Sequence, residues 1–173
     1  MNKTIFNLII IFILLVLAQV VIFNHICLFN VATPLIFIYF ILRLPITLSL
    51  NWTLTLAFVT GLIVDVFSNT LGLNTLSCTI LAMSRKSILH LYFSREDDLT
   101  RPEPTIKSLG LGIYIKYLFS STLLYCLVIF IIDAFTFFNP IMLFARILFS
   151  TLLTFIMILG LDSLLVSKNE KRL

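Results

Sequence analysis

The sequence predicts an all-α membrane protein, a bundle of six transmembrane helices. Three observations carry that prediction. Of 173 residues, 60% are hydrophobic and only 12% are charged, about half the charged share of a typical soluble domain. The mean hydropathy is +1.13. The apolar residues are gathered into continuous runs of membrane-crossing length, with Lys and Arg at alternate ends of those runs. Such a chain cannot cover itself with polar surface in water. One composition regime, with no internal repeat and no low-complexity segment, predicts a single integral membrane domain over residues 1–173.

A helix needs about 20 apolar residues, with a range of roughly 17–25, to cross a bilayer core. The first candidate covers about residues 4–24. Its Asn2-Lys3 start and apolar run have the outline of a signal peptide. The run exceeds the roughly 7–15 residues of such a core, and no small-x-small cleavage site follows, so it reads as a retained helix. The second, about 31–45, is short and framed by Pro34 at a first turn and Pro45 at a stop. The third, about 52–68, opens on Trp52, an interface anchor. The fourth, about 72–92, follows the polar turn Ser68-Asn69-Thr70. The fifth covers about 110–132, and the sixth about 140–166 after Phe138-Asn139-Pro140. Residues 94–108 form the soluble loop, and a charged tail, Lys168–Arg172, closes the chain.

Positive charge sets the orientation. Lys3, Arg43, Arg85, Lys86, Arg95, Arg101, Lys107, Lys116, Lys168, Lys171 and Arg172 all fall on one side if six spans leave both termini in the cytoplasm. The opposite loops, about 25–30, 68–71 and 133–139, carry no Lys or Arg. Dropping the short second span would place Lys3 and the tail on opposite sides. The sequence pI of about 9.1 therefore reflects helix orientation and does not point to nucleic acid. The outer loops hold only a few residues each, so activity is expected within the bilayer.

Ionisable residues inside spans are functional candidates by default. Asp65 lies near the outer end of the third span, and Arg146 about six residues into the sixth. They share a depth, which allows an Asp65–Arg146 ion pair. The alternative is that Arg146 snorkels to the outer headgroups while Asp65 caps a helix end. Asp133 is expected to be solvated at the outer mouth of the fifth span. Asp162 lies at the depth of Arg43 and Arg85, with its partner unassigned. Ala57, Gly61 and Asp65 recur every four residues and share one face, which suits close helix packing. Cys27, Cys78 and Cys126 have no CxxC spacing and read as small packing residues. His25 and His90 share no motif and read as helix-end polar residues. No carboxylate pair, histidine cluster, Ser/His/Asp set or phosphate-cradling glycine loop appears. The residues therefore predict no enzyme, no metal and no cofactor.

The stretch from Gly61 through Asp65 to Leu71-Gly72 resembles the signature of the MreD family, the rod shape-determining membrane proteins of bacteria. Ala18-Gln19 late in the first span, Ile36–Pro45 (IFIYFILRLP) in the second and the Arg-containing end of the fourth are similar too. Arg43 and Arg146 have no place in the family pattern. The resemblance implies a six-helix fold similar to the substrate-binding component of energy-coupling vitamin transporters. It implies a non-enzymatic member of the cell-elongation machinery in the bacterial cytoplasmic membrane. Such a protein would bind the bitopic partner MreC and, through it, MreB and the transpeptidase and polymerase of peptidoglycan. Gly61, Asp65 and Gly72 would be its motif positions. Asp65 would orient the turn or hold a partner helix, and the glycines would permit close packing and reversal. Two rival readings stay open. One is a vitamin-transporter binding subunit with Asn24, His25, Asn30, Asp65, Asn69 and Asn74 lining an outer pocket. The other is a membrane enzyme acting on lipids.

Overall fold

The computed structural model describes residues 2–22, 33–92, 104–134 and 140–170. Every regular element among them is helical. In chain order these are α1 (Asn2–Val21), α2 (Ile38–Arg43), α3 (Leu50–Ser68), α4 (Leu73–Tyr92), α5 (Ile106–Leu109), α6 (Leu111–Asp133) and α7 (Pro140–Glu170). Leu50–Ser68, Leu111–Asp133 and Pro140–Ser163 are each long and apolar enough to cross a membrane. Helix α4 matches α3 in length but carries Arg85, Lys86 and a polar first turn, and is not one of the three. The expected bounds of the first, third, fourth, fifth and sixth spans agree with α1, α3, α4, α6 and α7 to within a few residues. The expected loop 94–108 ends in the one-turn helix α5, and its residues 94–103 lie outside the described residues, as do all of loop 25–30 and residues 135–139 of loop 133–139. Cys27 and His25 also lie outside them.

The packing order follows the chain. α3 lies on α4, α4 on α6, α6 on α7, and α1 against α3. The apolar stripes of these helices meet around Cys78, Leu81, Tyr117, Tyr125 and Cys126, all essentially solvent-free. Both cysteines are free thiols in this core, and His90 is an exposed residue in the last turn of α4. Outward faces stay apolar, as at Trp52, Val66 and Phe67 on α3 and Ile141, Phe144 and Phe149 on α7.

The second span departs from expectation. In place of a helix over 31–45, only the six residues Ile38–Arg43 are helical, about 9 Å at 1.5 Å per residue. That is far short of the roughly 30 Å of a bilayer core. Leu35 through Leu42 are buried inside the bundle, and Thr33 to Phe37 approach the helix in non-helical form. Broken backbone is tolerated at membrane depth only where protein satisfies its polar groups, and here side chains of the long helices take several of them. Gln19 on α1 donates from Nε2 to the Pro34 carbonyl at 3.0 Å and accepts from the Ile36 N–H at 2.9 Å. Ser150 and Thr154 on α7 accept from the Thr33 and Leu35 N–H groups, each at 3.1 Å. At the other end, Tyr117 donates to the Leu42 carbonyl at 3.2 Å, and Arg85 donates to the Leu44 carbonyl.

Candidate functional site

The motif residues Gly61, Asp65 and Gly72 are brought together at the α3–α4 hairpin. Helix α3 ends at Ser68 because Asn69 turns left-handed, at φ 53°, a conformation Asn tolerates better than most residues. Gly72 then takes φ 80°, where L side chains are strained. The chain reverses within four residues, and α4 starts beside the α3 face that carries Gly61 and Asp65. A Cβ on Gly61 would lie 2.5 Å from Thr75 Cα and 2.8 Å from the Asn74 carbonyl oxygen. Glycine therefore sets the backbone-to-backbone approach of the two helices, and Ala57 continues that buried face.

Asp65 sits where α4 exposes its first, unpaired N–H groups. Its Oδ1 accepts from the Asn74 N–H at 3.0 Å, the Asn74 Nδ2 at 2.9 Å and the Thr70 hydroxyl. Its Oδ2 accepts from the Thr75 N–H at 2.8 Å and the Thr75 hydroxyl at 2.6 Å. A carboxylate offers about four lone-pair sites, and these donors occupy them. The negative charge also lies at the positive end of the α4 dipole. Asn74 extends the network by accepting from the Tyr125 hydroxyl at 2.8 Å, which ties the hairpin to α6. Of the two roles the resemblance implies for Asp65, orienting the turn is the one its hydrogen bonds perform.

A groove of about 550 Å³ runs along the outside of the hairpin from the turn toward mid-helix. Phe58, Leu62, Val66, Leu71 and Leu76 form its walls and Asp65 lies in its lining. Leu71, at the tip, is fully exposed.

Arg146 is placed apart from this site. Its guanidinium lies 3.6 Å from the Asp133 carboxylate, with both side chains partly exposed. The expected alternative of an Asp65–Arg146 pair is thereby corrected. Depth alone admits either acid, but α7 packs on α6, which brings Asp133 to Arg146. Asp162 finds its neighbours as its depth suggested. The Tyr39 hydroxyl donates to Asp162 Oδ1 at 2.6 Å and accepts from Arg43 Nη1 at 2.8 Å. Arg85 turns to Tyr117 and the Leu44 carbonyl instead.

Of the polar side chains that hold the broken second span, Gln19 and Arg85 were noted in the sequence, whereas Tyr117, Ser150 and Thr154 were not. Ser150 and Thr154 stand four residues apart, with Thr151 between them, in an otherwise apolar stretch of helix, and Gln19 belongs to the Ala-Gln pair already noted. That spacing was the available signal. Among the described residues no group of three or more His, Cys, Asp or Glu side chains is arranged to hold a metal ion. No family model, no curated protein and no solved structure matches this chain.

Proposed function

We propose that the chain is an MreD-type scaffold of the bacterial cell-elongation machinery, a protein of the cytoplasmic membrane whose six expected crossings include the broken segment 33–44 and leave both termini inside. On this reading it binds an MreC-like bitopic partner laterally and, through it, couples MreB to the peptidoglycan transpeptidase and polymerase. The observation that carries the reading is the saturation of Asp65. A catalytic or ligand-binding carboxylate must keep a lone pair for its substrate, whereas this one gives its acceptor sites to the α3–α4 turn. What the motif then offers outward is a rigid hairpin with an apolar groove, a surface suited to another helix. The test is co-purification of the tagged protein from its own membrane in mild detergent, with identification of what comes along. An MreC-like protein supports the reading. An ABC-type ATPase pair without any wall-synthesis protein overturns it.

One observation favours the vitamin-transporter alternative. Broken helices line substrate sites in many transporters, and α2 is such a helix. Against it, several of the backbone groups freed by the break are taken by Gln19, Ser150, Thr154, Tyr117 and Arg85. A thermal-shift screen with vitamins separates the two, because a bound ligand stabilises by mass action.

A further inference from the structure

Helix α4 has the length of a span without the apolarity of one. It runs for 20 residues, Leu73–Tyr92, about 30 Å at 1.5 Å per residue. Among the described helices, α3, α6 and α7 carry stretches long and apolar enough to cross a membrane, and α4 does not. Its polar side chains fall into two sets. Ser77, Thr79 and Ser84 donate to carbonyls of α4 itself and need no neighbour. Asn74 and Arg85 are buried and rely on groups outside the helix.

Those groups come from both sides of α4 in the chain. Asp65 accepts from the Asn74 amide at 2.9 Å, and the Leu44 carbonyl accepts from Arg85. Both precede α4. The Tyr125 hydroxyl donates to the Asn74 side-chain oxygen at 2.8 Å, and the Tyr117 hydroxyl accepts from Arg85 Nε at 3.3 Å. Both belong to α6, which is made later. A guanidinium inside a span is costly until such partners are in place. What carries the helix over is the pull of its flanks. α3 is apolar enough to cross by itself, and it takes the turn 69–72 to the outer face. The loop behind α4 holds Arg95, Arg101 and Lys107, which keep a short loop on the cytoplasmic side. A helix strung between those two points has to cross whatever its own preference.

From this arrangement we infer that α4 is a dependent span, drawn across the bilayer by its basic loop and then held there by Tyr117 and Tyr125 of α6. The inference rests on the membrane placement proposed above and is independent of any partner protein.

The test maps thiols in the full chain, expressed in bacterial cells, with a membrane-impermeant maleimide added from outside. Cys27→Ser, Cys78→Ala and Cys126→Ala clear the background. One probe is Leu71→Cys, at the fully exposed hairpin tip. The other is Thr100→Cys, in the basic loop. With the natural charges, position 71 should label and position 100 should not. Arg95→Gln, Arg101→Gln and Lys107→Gln together should raise labelling at position 100 by about tenfold or more. Adding Arg85→Leu should return it to background, because α4 then crosses on its own apolarity. Adding Tyr117→Phe instead should raise it further, because the hold from α6 is weakened. Unchanged labelling at position 100 in the charge variant, labelling that Arg85→Leu fails to reduce, or no effect of Tyr117→Phe overturns the inference. Silence at position 71 with the natural charges overturns the membrane placement as well, so the two failures are told apart.

Discussion

Thr75 presents both its backbone N–H and its hydroxyl to Asp65 Oδ2, at 2.8 and 2.6 Å. A carboxylate on one helix thus caps the start of the next. Asp65→Asn keeps the shape but turns one oxygen into an NH₂ group that faces donors. The loss of charge and the clash of donors should cost roughly 2–4 kcal/mol of stability, read by chemical unfolding in detergent micelles. In a double-mutant cycle with Thr75→Val, the coupling should be about 1–2 kcal/mol. Additive losses would show that Asp65 does not act as the cap of α4.

The glycines separate by cause. Gly61→Ala places a methyl group 2.5 Å from Thr75 Cα, and backbone cannot yield as a flexible side chain does. A loss of at least about 2 kcal/mol is expected. Gly72→Ala meets nothing within 4 Å but keeps φ 80°, so strain alone costs about 1–2 kcal/mol. Gly160 is helical with open space around it, and Gly160→Ala should be neutral or stabilise by up to about 1 kcal/mol. Thermal midpoints of the three variants in one detergent should fall in that order.

The contrast between the hairpin and α2 explains what the sequence made legible. Gly61, Asp65 and Gly72 act on residues at most fourteen positions away, so their spacing carries the turn, the cap and the close approach. The broken second span depends on Ser150 and Thr154, more than a hundred residues further on. The short run and its framing prolines, Pro34 and Pro45, were the local signs, and they fit a short helix as well as a broken one. The partner of Arg146 was hidden for a related reason. Charge patterning gives depth along the membrane normal but not which helices are neighbours, and only the packing of α7 on α6 selects Asp133 over Asp65.

That selection can be measured. The Arg146 and Asp133 side chains are 39% and 48% exposed, so their attraction is screened. A double-mutant cycle of Arg146→Ala with Asp133→Ala should give a coupling of no more than about 1 kcal/mol at low salt, falling as salt rises. The same cycle of Arg146→Ala with Asp65→Ala should give zero within about 0.5 kcal/mol. A larger value for the second pair would restore the ion pair that depth alone allows.

Ser121 and Thr154 offer a sharper comparison, because both are fully buried hydroxyls, at 0% exposure, on neighbouring helices. The Ser121 hydroxyl has no hydrogen-bond partner among the described residues, whereas Thr154 accepts from the Leu35 N–H at 3.1 Å. Removing a hydroxyl that was buried without a partner also removes its desolvation cost. Ser121→Ala should therefore be neutral or stabilise by up to about 1 kcal/mol. Thr154→Val keeps the volume but strands a buried backbone N–H, which should cost about 1–3 kcal/mol. Unfolding curves taken side by side read the opposite signs directly. If Ser121→Ala destabilises as much as Thr154→Val, the Ser121 hydroxyl has a partner in the membrane, and the core around α6 is more polar than its hydrogen bonds indicate.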